Sequence, residues 1–149
     1  MVSMSLSTFS QSKKDLKANK VKSCTEWKAV TGNDKPIKES YEEYDINGKT
    51  ILKIEYKKDG TVKSKSTYKY DKYGNKIEET EISSKTGETK KTVSKYNAQN
   101  DKTEEIEYSE TNQVLIKNTY KYDSNGFRIE KRTFDAQDQL IELKKWEYK

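Results

Sequence analysis

The stretch TYKYDKYGNKIEE at residues 67–79 returns as TYKYDSNGFRIEK at residues 119–131. A tyrosine pair, an aspartate and a glycine keep their places in both copies. Outward from these copies, bulky residues stand at Val30, Tyr44, Tyr56, Tyr70, Ile82, Tyr96, Tyr108, Tyr122, Phe134 and Tyr148, at spacings that alternate fourteen and twelve, so the true period is 26 residues. Repetition on this scale marks an array of like supersecondary units.

Each bulky residue is followed by a turn-forming tetrad: DING after Tyr44, KKDG after Tyr56, DKYG after Tyr70, NAQN after Tyr96, SETN after Tyr108, DSNG after Tyr122 and DAQD after Phe134. Asp, Asn or Ser often opens the four, and Gly, Asn or Asp closes it. This is the chemistry of a type I turn followed by a left-handed residue in a G1 bulge, where the last position needs positive φ and the first side chain accepts a bond from the backbone. The turn positions are therefore Asp45, Gly48, Gly60, Asp71, Gly74, Asn100, Asn112, Asp123 and Gly126. Only SSKTG, after Ile82, is one residue longer. Thr-, Tyr- and Ile-containing runs between such turns read as an antiparallel meander, and the intervals leave no room for an apolar helical face plus two loops.

Composition decides how that meander is packed. Only 30% of the 149 residues are hydrophobic and 37% are charged, too little apolar material to fill a two-layer core. Disorder is opposed by the 11 tyrosines, the single proline and the interspersed Lys and Glu that hold net charge to +5. The expected fold is all-β: an antiparallel meander of about ten strands forming one extended, twisted, largely single-layer sheet, stabilised by neighbour-to-neighbour contacts. Residues 1–19 read as a disordered segment or signal-peptide remnant and residues 20–149 as the β-hairpin repeat domain. Val21 to Val30 fits a degenerate first strand, with TGNDKP as an irregular turn.

A three-residue loop at Ile46, Asn47 and Gly48 pairs Asp45 with Lys49, Tyr44 with Thr50 and Glu42 with Leu52. The same rule downstream sets Lys65 against Glu81, Glu81 against Lys91, Lys91 against Glu107, Glu55 against Lys63 and Glu105 against Lys117, a series of opposite charges. The other face carries Ile106, Ile116, Phe134 and Leu140 in one row and Tyr122, Arg128 and Trp146 in another, with Arg128 between two rings. Interruption of that face by Glu78, Lys90, Glu104, Glu130 and Lys144 excludes the filled interior of a closed barrel.

The signatures YKYDKYGNK at 68–76, YKYDSNGFR at 120–128 and the looser YEEYDINGK at 41–49 resemble the tyrosine-aspartate (YD) repeats of bacterial RHS-like proteins. The resemblance extends over most of residues 41–148. It implies β-hairpins joined into a continuous spiralling sheet, which large members wrap into a shell around a toxin domain. This chain looks more like the small exported repeat proteins of Bacteroidota. A second, weaker resemblance is to MORN-type repeats.

Little in the sequence points to catalysis. The chain has no histidine, the commonest general base and metal ligand. Adjacent carboxylates such as Glu78 and Glu79 fall on opposite faces of a strand. DINGK begins like a calcium loop and lacks the rest of its ligands, and no phosphate-cradling glycine motif occurs. The expectation is a non-enzymatic protein with no cofactor and no metal. Cys24 alone forms no internal disulfide and reads as a small strand residue.

The expected function is a secreted or cell-envelope scaffold or protein-interaction module, with an exposed sheet edge as its docking element. Its partner would be another protein or a second copy. Alternatives are glycan binding through Tyr120, Tyr122, Arg128 and Trp146, or a fragment of an RHS-like toxin shell. Nucleic acid ranks last, because most Lys residues face a Glu instead of concentrating on one surface. Export is suggested by LSTFSQSKKD, which resembles the cleavage neighbourhood of exported Bacteroidota-like proteins; the alternative is cytoplasmic. No apolar run is long enough for a transmembrane segment.

Overall fold

The computed structural model describes residues 12–29 and 35–149. It contains one short helix, α1 (Lys13–Ala18), and ten strands: β1 (Ser23–Lys28), β2 (Ile37–Tyr44), β3 (Thr50–Tyr56), β4 (Val62–Tyr70), β5 (Lys76–Ser83), β6 (Thr89–Tyr96), β7 (Lys102–Tyr108), β8 (Val114–Tyr122), β9 (Arg128–Phe134) and β10 (Leu140–Lys145). The strands form one open antiparallel sheet in strict chain order, β1 to β10. Each strand touches only the strands before and after it, as the repeat and the shortage of apolar residues require.

The corners form where the tetrads stand. Asp45 N–H donates to the Lys49 carbonyl at 2.9 Å and Gly48 N–H to the Asp45 carbonyl at 3.0 Å. Asp45 Oδ1 accepts from the N–H of Asn47 at 2.8 Å and of Lys49 at 2.9 Å. Asp71, Asn97, Asp123 and Asp135 each repeat this double acceptance. Their side chains thus tie down two backbone donors that the turn leaves unpaired. In KKDG the first residue is Lys57, and Asp59 takes over by accepting from Thr61 N–H at 2.9 Å. Every closing residue lies in the left-handed region, from Gly48 at φ 73° to Asn100 at 67°, Asn112 at 59° and Asp138 at 61°.

One regularity of the backbone is missed by the turn rule. In every hairpin closed by such a tetrad, the ladder slips by one residue just beyond the corner. Tyr44 lies opposite Thr50 as expected, but Glu43, not Glu42, lies opposite Leu52, because Ile51 is an extra residue. Such a β-bulge unpairs one residue and turns later side chains to other partners. The expected charge series is corrected: the slips set Lys65 opposite Ile82, Lys91 opposite Tyr108 and Glu105 opposite Asn118, and the hairpin of the longer SSKTG turn, which has no slip, sets Glu81 opposite Lys90. Glu55 and Lys63 still reach each other at 3.0 Å. A different series recurs with the 26-residue period: Lys69–Glu78 at 2.7 Å, Lys95–Glu104 at 2.6 Å and Lys121–Glu130 at 3.1 Å.

Leu16 is the one buried apolar side chain among the described residues, and no described side chain is fully buried. It belongs to α1, within the segment expected to be disordered; residues 1–11 of that segment, Val30 and most of TGNDKP lie outside the described residues. Ser12 caps α1, its hydroxyl accepting from Asp15 N–H at 3.3 Å and donating to the Asp15 carboxylate at 2.7 Å. The helix then settles on the first corner, where Leu16 leaves water against the turn. A Cβ on Gly48 would stand 2.5 Å from the Lys13 carbonyl oxygen and 3.0 Å from Lys17 N, whereas one on Gly126 would meet nothing within 4 Å.

Gly126→Ala should therefore carry only the cost of its positive φ, about 1–2 kcal/mol. Gly48→Ala should cost more and also release α1. Denaturation midpoints compare the two costs. Loss of hydrogen-exchange protection at the amides of Leu16 and Val21 in the Gly48 variant alone reports the release.

Candidate interaction surface

The tyrosines that set the period hold successive corners together. Tyr70 Oη donates to the Thr50 carbonyl at 2.8 Å, Tyr96 to Lys76 at 2.9 Å, Tyr122 to Lys102 at 2.8 Å and Tyr148 to Arg128 at 2.8 Å. Each acceptor stands at a bulge, where the ladder is locally disrupted. Every hydroxyl reaches back twenty residues to the start of the preceding strand, from the end of a strand or, for Tyr148, from just beyond β10. At the opposite ends of the strands, Ser84 Oγ instead donates to the Val62 carbonyl.

Cations cover many of the rings. Lys76 Nζ lies 5.2 Å from the Tyr68 centroid, Lys91 Nζ 5.4 Å from Tyr108 and Lys38 Nζ 4.3 Å from Tyr56. Such contacts stabilise an exposed site by about 0.5–1 kcal/mol.

The candidate patch sits at the end of β8 and the start of β9. Arg128 Cζ lies 4.7 Å from the Tyr120 ring and 6.0 Å from the Tyr122 ring. Arg128 is thus stacked on two rings of β8, and the expectation that it lies between Tyr122 and Trp146 is corrected. Arg128 lies opposite Tyr122 at the corner, as the turn count expects. From the β10 side Tyr148 approaches it, through its bond to the Arg128 carbonyl and a ring centroid 5.0 Å from that of Phe127. Trp146 is half-buried beside β9, its backbone N–H donating to the Ile129 carbonyl at 3.1 Å. Sequence reasoning missed Phe127 and Tyr148 as patch members, although Tyr148 stands on the 26-residue period that should have identified it.

Tyr120 is half-buried, and its phenol is pushed up to about 12, first by desolvation and then by the charge of Glu105. Glu130, beneath Lys121 and 2.8 Å from Arg132 Nε, is held below the ordinary carboxylate range, chiefly by Lys121. These charges neutralise one another locally.

Two further features frame the surface. Beside α1 an open groove of about 760 Å³ is lined by Leu16, Val21, Tyr41, Tyr44 and Ile46 and rimmed by Lys17, Lys20 and Lys22. Desolvation, followed by the charge of Glu42, raises the Tyr44 phenol well above its ordinary range. At the other end of the sheet, β10 is exposed along its length: Leu140 is 50% exposed, Ile141 57% and Leu143 46%. Its outer edge has no neighbouring strand among the described residues. Cys24, on the opposite edge strand, is free and exposed. No described helix is long and apolar enough to cross a membrane.

No protein-family model matches the chain, and no curated protein matches it. A crystal structure of a protein of unknown function from Bacteroides fragilis NCTC 9343 is similar at 19% identity, covering 86% of this chain and 93% of that one, with a TM-score of 0.22. A likeness at that TM-score carries no argument about this chain.

Tyr96→Phe and Tyr122→Phe should each cost about 0.5–1.5 kcal/mol, the net value of one hydrogen bond. Tyr108→Phe should cost little, since its hydroxyl bonds no carbonyl among the described residues; urea denaturation compares the three. The raised Tyr120 pKa favours the neutral phenol in the folded state. Its stabilising contribution is complete below the unfolded value near 10 and is lost as pH rises through about 12. Tyr120→Phe should therefore lose less stability than the parent between pH 9 and pH 12, as read from thermal midpoints.

Proposed function

We propose that this chain is a non-catalytic β-repeat scaffold, exported to the cell envelope or beyond, that engages a protein partner through its open sheet edge. The observation that carries this reading is the outer edge of β10, where an unpaired backbone runs beside exposed Leu140, Ile141 and Leu143. Unpaired strand edges are templates for adding another strand, and an exposed apolar cluster alongside supplies the area to be removed from water. The resemblance of the hairpins to YD repeats is in keeping with a structural role, and the export-like LSTFSQSKKD supports location outside the cytoplasm.

Glycan binding at Tyr120, Tyr122, Arg128 and Trp146 is the second reading. It needs ring faces open to a sugar, whereas Arg128 already lies against Tyr120 and Tyr122. The scaffold reading therefore ranks first.

A photo-crosslinking residue placed at Ile141 or Leu143 in the native host should give defined protein adducts, and the same residue at Gly87, in the distant SSKTG turn, should not. Absence of adducts at both edge positions, or equal adducts at all three, would remove the reading. Quenching of tryptophan fluorescence by polysaccharides, abolished by Arg128→Ala, would favour the glycan alternative.

A further inference from the structure

We infer that the partner of the β10 edge is a second copy of this chain, added antiparallel about a two-fold axis that sets Leu143 opposite its own symmetry mate. This deepens the scaffold reading by naming the occupant of its edge. The phase of the backbone comes first. In the ladder with β9, Leu143 lies opposite Arg132, Lys144 opposite Lys131 and Lys145 opposite Glu130, and Trp146 N–H donates to Ile129 at 3.1 Å. Antiparallel backbone groups turn to alternate sides residue by residue. Trp146 and Lys144 therefore turn toward β9, while the N–H and C=O of Leu143 and Lys145 turn to the open side.

Symmetry then restricts the register. Consecutive antiparallel pairs alternate between two kinds, so a two-fold axis normal to the sheet must pass where a residue faces itself. An axis at Glu142, Lys144 or Lys145 sets like charges against each other. With Leu143 on the axis, its outward N–H and C=O exchange two bonds with the mate. Glu142 then meets Lys144 twice, and the register runs on to Ile141 and Lys145 at the edge of the β10 bulge. Glu142 and Lys144 already share one face of β10, where they pair at 3.2 Å. Opposite charges on neighbouring strands reinforce each other there.

The competing arrangement, head-to-tail growth, is opposed by charge. Lys121 lies opposite Glu130 and Thr119 opposite Arg132 in the β8–β9 ladder. Carried forward by the repeat, that register would let β1 of the next copy follow β10, with Glu147 opposite Glu26 and Lys145 opposite Lys28. Like charges directly opposed destabilise a sheet. The edges thus favour a closed pair over an open filament.

The test is sedimentation velocity of the 149-residue chain over a wide concentration range, with far-UV circular dichroism to check the fold. A single dimeric species should grow with concentration and no larger one should form. Glu142→Lys should weaken it about tenfold, the sum of several cross-strand charge terms. Adding Lys144→Glu to that variant should restore it. Leu143→Pro, which removes an outward-facing N–H, should leave a folded monomer. A monomer at every concentration, open-ended growth in mass or a double variant that fails to recover would each overturn the proposal. A monomer whose β10 edge still crosslinks other proteins in the host would overturn the dimer alone and leave the scaffold reading standing.

Discussion

The sheet depends on one constraint, that each described hairpin corner from β2 onward closes with a residue in the left-handed region. Gly48, Gly60, Gly74 and Gly126 adopt it without a Cβ penalty; Asn100, Asn112 and Asp138 adopt it with side chains among the more tolerant. The opening Asp, Asn or Ser fixes the other half of the corner by accepting backbone donors that would otherwise point at nothing. Because both requirements are local, each corner can form without a core to fold against. Strand length follows from the spacing of the corners, and the chain can only go back and forth.

A sheet without a second layer must replace hydrophobic burial by contacts within its own plane and just above it. The tyrosine hydroxyls, the Lys–Glu pairs of the 26-residue period and the cations over the rings all join adjacent or nearly adjacent strands. Small hydroxyl residues such as Ser66 and Ser94 become buried, shaded by long neighbours rather than by a covering layer. Stability then accumulates along the array, one interface at a time. The two end strands have one such interface fewer, and this makes the edges chemically distinctive. At β1 the helix α1 covers the adjoining corner through Leu16, whereas β10 keeps its apolar residues in water.

Much of the architecture was legible in the sequence. The all-β class, the single layer, the number of strands and the left-handed closing positions all follow from tetrad spacing and composition. Cross-strand partners were less legible. The extra residues, Ile51, Ile77, Leu115 and Ile129 among them, are ordinary strand residues with no turn chemistry to announce a bulge. A count from the corner is therefore right for Tyr44 and Thr50 and wrong by one for Glu42 and Leu52. The slip in the β9–β10 hairpin likewise takes Trp146 off Arg128 and sets its N–H on the Ile129 carbonyl. Helix α1 was overlooked because six polar-rich residues have little tendency to hold a helix alone; Leu16 gains its stabilisation from a corner some thirty residues away.

By itself the sequence determined where the chain turns, because positive φ and side-chain acceptance are properties of single residues and their near neighbours. Tertiary structure alone decided which side chains meet across the strands and where the tyrosine hydroxyls end. Those outcomes depend on the bulge, because a one-residue slip re-pairs every side chain beyond it, and the residues it leaves unpaired carry no turn chemistry.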